Sequence, residues 1–227
     1  MTKSNSDEYK DFLKMYIPKS YFINSMTKNI YSRITENLVV TEIFKSYINE
    51  CELECYIEFL ENYKNKYNKL LLYLGINDYE SVTYCIRSLI ENLLKFIYSI
   101  YIIELKENIE MFSYRNIKDE LIEFSKNGLE INMELISKLF SIYGEYSKVI
   151  HGKENTKVSI EYIVDIIENK NDKLNNIDQI LLKIINIYED IMIDILKIEY
   201  LSTSDLINLK KMLSKKRFDR FQNIIKA

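Results

Sequence analysis

The chain carries one histidine, His151, and the residues just ahead of it hold most of its capacity for chemistry. Tyr143, Ser147 and His151 are spaced by four, so on a helix they share one face. An imidazole at a helix carboxyl end is favoured as a cation by the helix dipole and titrates near neutral pH. That suits proton transfer, with Tyr143 and Ser147 placed to orient or support the ring. Gly144 and Gly152 flank this face and leave room for another helix or a substrate to approach. The same histidine equally suits a capping role, hydrogen-bonded into a bundle. Ser147 lacks the glycine-flanked nucleophile elbow of a serine hydrolase.

Arg87 and Glu91 form a second group, also four apart, in the greasy stretch CIRSLIENLLKFIY. Charges on such a helix pair with each other or face a cleft. If this helix packs against the one leading to His151, Arg87 approaches the imidazole. An arginine beside a histidine suits metal-free cleavage of a phosphodiester. The histidine moves a proton and the arginine stabilises developing phosphate charge. The alternative is an internal Arg87–Glu91 ion pair.

Other chemistry is poorly provided for. Cys51, Cys55 and Cys85 are an odd number with only one histidine to help them, which argues against a structural zinc site. Glu50, Glu52, Glu54 and Glu58 read as a solvated helix face, and Asp190 with Asp194 as a weak metal pair. Gly75, Gly128, Gly144 and Gly152 are isolated, so no phosphate-cradling loop is available. No cofactor and no metal are expected.

The elements that must hold these residues read as helices throughout. Four glycines and one proline in 227 residues disfavour sheet folds rich in tight turns. Apolar residues recur at threes and fours from Thr35 to about Tyr73, with a polar patch at Asn62–Asn68 where a bend is expected. Gly75 stops that pattern, and Ile76–Asp78 forms a turn. The next helix starts near Asp78 or Ser81 and is apolar on most of its circumference, as at the centre of a bundle. Further helices are expected over Ser113–Phe124, from about Asn132 to His151, from Thr156 or Ser159 to Ile167, from about Asn176 to Tyr200, and after Ser204.

Residues 1–34 read as an N-terminal extension, 35–203 as the bundle and 204–227 as a basic helical tail. The tail holds Lys210, Lys211, Lys215, Lys216, Arg217 and Arg220, with Phe218 and Phe221 between them. It offers either a contact for a nucleic-acid backbone or acidic partner, or simply a solvated face. The formal net charge of −3 argues against a wholly cationic nucleic-acid binder. The amino terminus lacks the apolar run of a signal peptide, and Arg87, Glu91 and Lys95 interrupt the greasiest stretch. A cytoplasmic protein with reduced thiols and no membrane association is expected.

The stretches CIRSLIENLLKFIY, residues 85–98, and YGEYSKVIHG, residues 143–152, resemble the HEPN superfamily of helical bundles. That group is common in bacterial toxin–antitoxin, abortive-infection and other antiviral systems. The resemblance implies an all-α, antiparallel bundle with additional N- and C-terminal helices. It also implies a metal-independent endoribonuclease, a homodimer with facing motifs, an RNA substrate and a protein partner from the same operon. The family histidine carries over to His151. The family arginine shortly before it does not, because residues 142–147 hold none. On this reading His151, Arg87, Glu91, Ser147 and Tyr143 converge in a cleft. The competing expectation is a non-catalytic interaction or regulatory subunit: an antitoxin, adaptor or sensor.

Overall fold

The computed structural model describes residues 5–23, 27–50, 56–102, 109, 111–128, 131–150 and 159–226. Among the described residues all regular structure is helical and there is no strand. Helix α1 spans Asn5–Tyr16, α2 Thr27–Glu50, α3 Ile57–Gly75 and α4 Tyr79–Ile102. They are followed by α5 at Tyr114–Lys126, α6 at Met133–Ile150 and α7 at Ile160–Glu168. The last three are α8 at Ile177–Leu196, α9 at Thr203–Met212 and α10 at Lys215–Lys226. Short 3-10 turns lie at Tyr21–Ile23 and Asp172–Leu174.

Helix α4 sits at the centre, packed against α3 on one side and α6 on another. Val82, Cys85, Ile86, Leu89, Ile90, Leu93, Leu94, Phe96 and Ile97 are all buried, and of its residues only Glu80 and Tyr84 are well exposed. Its apolar circumference is therefore covered, as the sequence pattern implies. The α3–α4 turn is set by local chemistry. Asn77 adopts a left-handed backbone with φ 57°, and the Asp78 side chain accepts from the Ser81 amide at 3.1 Å to cap α4. A Cβ at Gly75 would lie 2.8 Å from Leu13 and 3.2 Å from Ile17, so close approach of α1 requires glycine there.

The pattern expected from Thr35 to Tyr73 is helical over both stretches described, in α2 up to Glu50 and in α3 from Ile57. Helix α2 begins earlier, at Thr27, and spans residues on both sides of position 34. The polar patch at Asn62–Asn68 is not a bend. It lies inside uninterrupted α3, because Tyr63 and Tyr67 are four apart, both turn inward, and their hydroxyls hydrogen-bond at 3.0 Å. Tyr63 stacks on Tyr188 of α8 at 4.3 Å between centroids, and Tyr188 donates to Thr41 of α2 at 3.0 Å. The apolar cores of α2, α3 and α8 thus share one hydrogen-bonded aromatic seam.

The segment after Ser204 is two helices. The break falls at Leu213 and Ser214, where Glu36 of α2 accepts from the Ser214 amide at 3.1 Å. Arg217 and Arg220 of α10 do not join a basic face. Arg217 pairs with Glu189 of α8, and its Nη1 lies 3.6 Å from Glu36 and donates to the Arg33 carbonyl at 3.0 Å. Arg220 bridges Glu189 and Asp190, each at 2.6 Å. Glu189 has no exposed surface, and Phe221 is buried against Phe44. Burying Phe221 alone stabilises the docked helix by about 1.5–3 kcal/mol. Lys210, Lys211, Lys215 and Lys216 remain exposed.

Helix α7 is the outlier. Its sequence is IEYIVDIIE, yet none of its residues is buried, and Ile160, Tyr162, Ile163 and Val164 are exposed. It is held at its carboxyl end, where the Asn77 side-chain amide donates to the carbonyls of Ile166 and Asn169 at 2.7 and 2.8 Å. Lys19 also pairs with Glu168 at 2.8 Å. No helix among the described residues is long and apolar enough to cross a membrane.

Candidate functional site

The packing of α4 on α6 brings Arg87 to Tyr143. One terminal nitrogen of the guanidinium, Nη2, donates to the Tyr143 hydroxyl at 3.1 Å, and its central carbon lies 5.0 Å from the ring centroid. Tyr114, the first residue of α5, stacks on Tyr143 with centroids 3.5 Å apart and planes 12° from parallel. Tyr114 in turn meets Phe140 edge-on at 6.0 Å, and the Lys118 ammonium lies 5.5 Å from the Phe140 centroid. Three helices therefore contribute to one basic, aromatic cluster. Local caps hold it: Ser113 accepts from the Asn116 amide at 3.3 Å, and Asn132 accepts from the Leu135 amide at 3.3 Å.

The internal Arg87–Glu91 ion pair does not form. Glu91 turns along its own helix to Lys95, at 3.4 Å. No carboxylate among the described residues pairs with Arg87. Its Nε is buried without a partner, and Nη1 donates to nothing among the described residues. Tyr143 is almost covered, with 8% of its surface exposed. Because its oxygen accepts from Arg87, its own hydroxyl proton remains available, and no described residue accepts it.

Ser147 does not turn outward. Its hydroxyl donates to the Tyr143 carbonyl at 2.8 Å, one turn back in the same helix. Gly144 has open space where a Cβ would stand, so no described part of the chain uses it for close helix packing. His151 and Gly152 lie outside the described residues, as do Cys51 and Cys55. Helix α6 is described through Ile150, the residue before His151. Of the five candidate residues, the structure brings Arg87 and Tyr143 together. It places Ser147 one turn further along α6 and turns Glu91 away.

Comparison with family models, curated proteins and solved structures returns no match. The site therefore rests on its own geometry. Burial, with Tyr143 adding to it, pushes the Tyr114 phenol up to about 12. Tyr146 is pushed to the same region, about 12, by burial and by the nearby Tyr79 and Glu145. Both rings are neutral donors at physiological pH. Burial also raises the Cys85 thiol, which makes it a poor nucleophile. Asp190 is engaged by Arg220, and no cluster of three or more potential metal ligands occurs among the described residues.

Tyr114, Phe140 and Lys118 are the members of the cluster that spacing along the chain does not reveal. Residues 87, 114 and 143 sit on three different helices and share no local pattern. A faint signal exists at Tyr114, since a tyrosine directly after a serine cap stands at a helix start, with its ring free to reach a neighbour.

Proposed function

We propose that this chain is a HEPN-like protein of bacterial antiviral defence or of a toxin–antitoxin system, acting on RNA as a metal-independent endoribonuclease. The observation that carries the reading is the Arg87–Tyr143 contact. It sets an arginine with no carboxylate partner among the described residues against α6, the helix described up to the residue before the only histidine. In this mechanism His151 takes the proton of a ribose 2′-hydroxyl as that oxygen attacks phosphorus. It returns the proton to the departing 5′-oxygen as the P–O bond breaks. Arg87 stabilises the charge that builds on the non-bridging oxygens. The working form is a homodimer in the cytoplasm, with a protein partner from the same operon.

The test is incubation of the full chain with varied RNAs in the presence of a chelator. Cleavage by the wild type and its loss in His151→Ala support the reading. Equal cleavage by the variant, or no cleavage of any RNA with or without an operon partner, overturns it.

A second reading is a non-catalytic interaction or regulatory subunit: an antitoxin, adaptor or sensor. Helix α7 favours it, because a nine-residue helix this apolar with no buried residue fits a surface meant to be covered. The absence of arginine in residues 142–147 points the same way.

A further inference from the structure

We propose that Arg87 and Tyr143 form a binding site for a phosphate oxyanion, and that Tyr114 is its positioning residue. The proposal rests on the reading above for its choice of Arg87 as the phosphate-facing cation, but not on RNA cleavage.

The argument starts from unspent donors. A half-buried arginine ordinarily neutralises its charge against a carboxylate, because desolvating an unpaired cation is costly. Arg87 has none among the described residues, although Glu91 is one turn away on the same helix and is engaged by Lys95 instead. Its guanidinium is held by an aromatic face and a phenol oxygen, both of which leave the charge uncancelled. That hydrogen bond also fixes the direction of the next one. With its oxygen accepting from Arg87, Tyr143 keeps a hydroxyl proton that no described residue accepts. The Nη1 hydrogens of Arg87 likewise meet no acceptor among the described residues. One guanidinium edge and one phenolic O–H on adjacent helices suit two oxygens of a tetrahedral anion.

Tyr114 sets this geometry. It covers the Tyr143 ring at 3.5 Å, and the guanidinium carbon lies 5.0 Å from that ring's centroid. A ring held by a stacked neighbour keeps the hydroxyl where Arg87 reaches it. The Tyr114 hydroxyl itself makes only a marginal 3.5 Å contact to the Phe140 carbonyl, so the ring and not the hydroxyl carries the role.

Isothermal titration of the full chain with inorganic phosphate, with dimethyl phosphate and with acetate, at constant ionic strength, tests this. Wild type is expected to bind both phosphates and to bind acetate more weakly. Tyr143→Phe keeps the ring and loses the donor, so phosphate binding falls about tenfold or more, as for a lost hydrogen bond to a charged group. Tyr114→Leu falls similarly, while Tyr114→Phe retains wild-type binding. Thermal melts identify variants that fail to fold, and the Tyr143→Phe result stands without Tyr114→Leu. RNA cleavage is read in His151→Ala and phosphate binding in Tyr143→Phe, each against wild type, so failure of the cleavage reading and failure of this site are distinguished. Tighter binding of dimethyl phosphate points to a nucleic-acid backbone, and tighter binding of inorganic phosphate to a terminal or free phosphate. Both fit the site. No phosphate binding, equal binding by Tyr143→Phe, or acetate binding as tight as phosphate overturns the proposal.

Discussion

Two arginine environments in this molecule differ in one respect, and the difference separates structure from chemistry. On α10, Arg217 and Arg220 meet Glu189, Asp190 and Glu36, and the guanidinium groups also find the Arg33 and Asn186 carbonyls. Every charge there has an opposite partner within the chain. On α4, Arg87 meets a phenol and a ring face and, among the described residues, no carboxylate. A cation cluster closed by carboxylates holds two helices together. A cation left open is available to an external anion. The comparison predicts opposite behaviour when each arginine is removed: lost stability in the first case, lost binding with little change in stability in the second.

The largest expected effect is at the closed cluster. Arg217→Met removes the nearest partner of a carboxylate that has no exposed surface. Breaking a buried pair by deleting one side costs about 3–5 kcal/mol, and because Arg220 still holds one oxygen of Glu189 the loss here lies toward the lower end of that range. Urea denaturation should show that loss, with α10 released first in hydrogen exchange. A change below about 1 kcal/mol would mean that Glu189 is satisfied without Arg217, and the contrast between the two sites would collapse.

The pH dependence of this cluster sharpens the comparison. Burial raises the Glu189 carboxyl above its ordinary value, and Arg217 and Arg220 only partly oppose that shift. A carboxyl whose folded value lies above its unfolded one favours the protonated folded state. Its contribution is greatest at low pH and is lost as pH rises through the folded value. The stability of wild type relative to Glu189→Gln should therefore increase on moving from pH 7 toward pH 5. Parallel melting curves for the two proteins across that range would show that the arginines hold Glu189 at an ordinary value.

The helices themselves were largely legible. The turn at Gly75–Asp78, the start near Asn132 and the covered circumference of α4 all follow from residues with strong local preferences. The break that spacing does not reveal lies at Leu213–Ser214, an interval without proline or glycine. It is set from outside the segment, by Glu36 accepting from Ser214 across the fold. The buried Glu189 was equally hidden, because a carboxylate at a core register is visible only with its arginines, which lie on a helix further along the chain. At the candidate site, spacing offers the meeting of Arg87's helix with that of Tyr143 only as a condition, and the packing of α4 on α6 supplies it. The choice between Glu91 and Tyr143 as the partner of Arg87 does not follow from spacing, since an i,i+4 ion pair and a contact across helices differ by fractions of a kcal/mol.

The smallest expected effect on stability, and the most informative, is at the open site. Arg87→Met removes one hydrogen bond to Tyr143 and one contact with its ring face, each worth about 1 kcal/mol. It also removes a buried Nε–H that has no acceptor and a cation that has no counter-charge among the described residues. Those two losses favour the variant, since an unsatisfied buried donor carries its full desolvation penalty. Methionine keeps the unbranched apolar stem against α6. The net change in unfolding free energy should fall within about 1 kcal/mol of wild type, with phosphate binding abolished in the same preparation. A destabilisation comparable to that of Arg217→Met would mean that Arg87 is also a structural clasp. An unstrained variant that no longer binds phosphate would instead show that an arginine of little structural value is kept at this seam for the anion it meets.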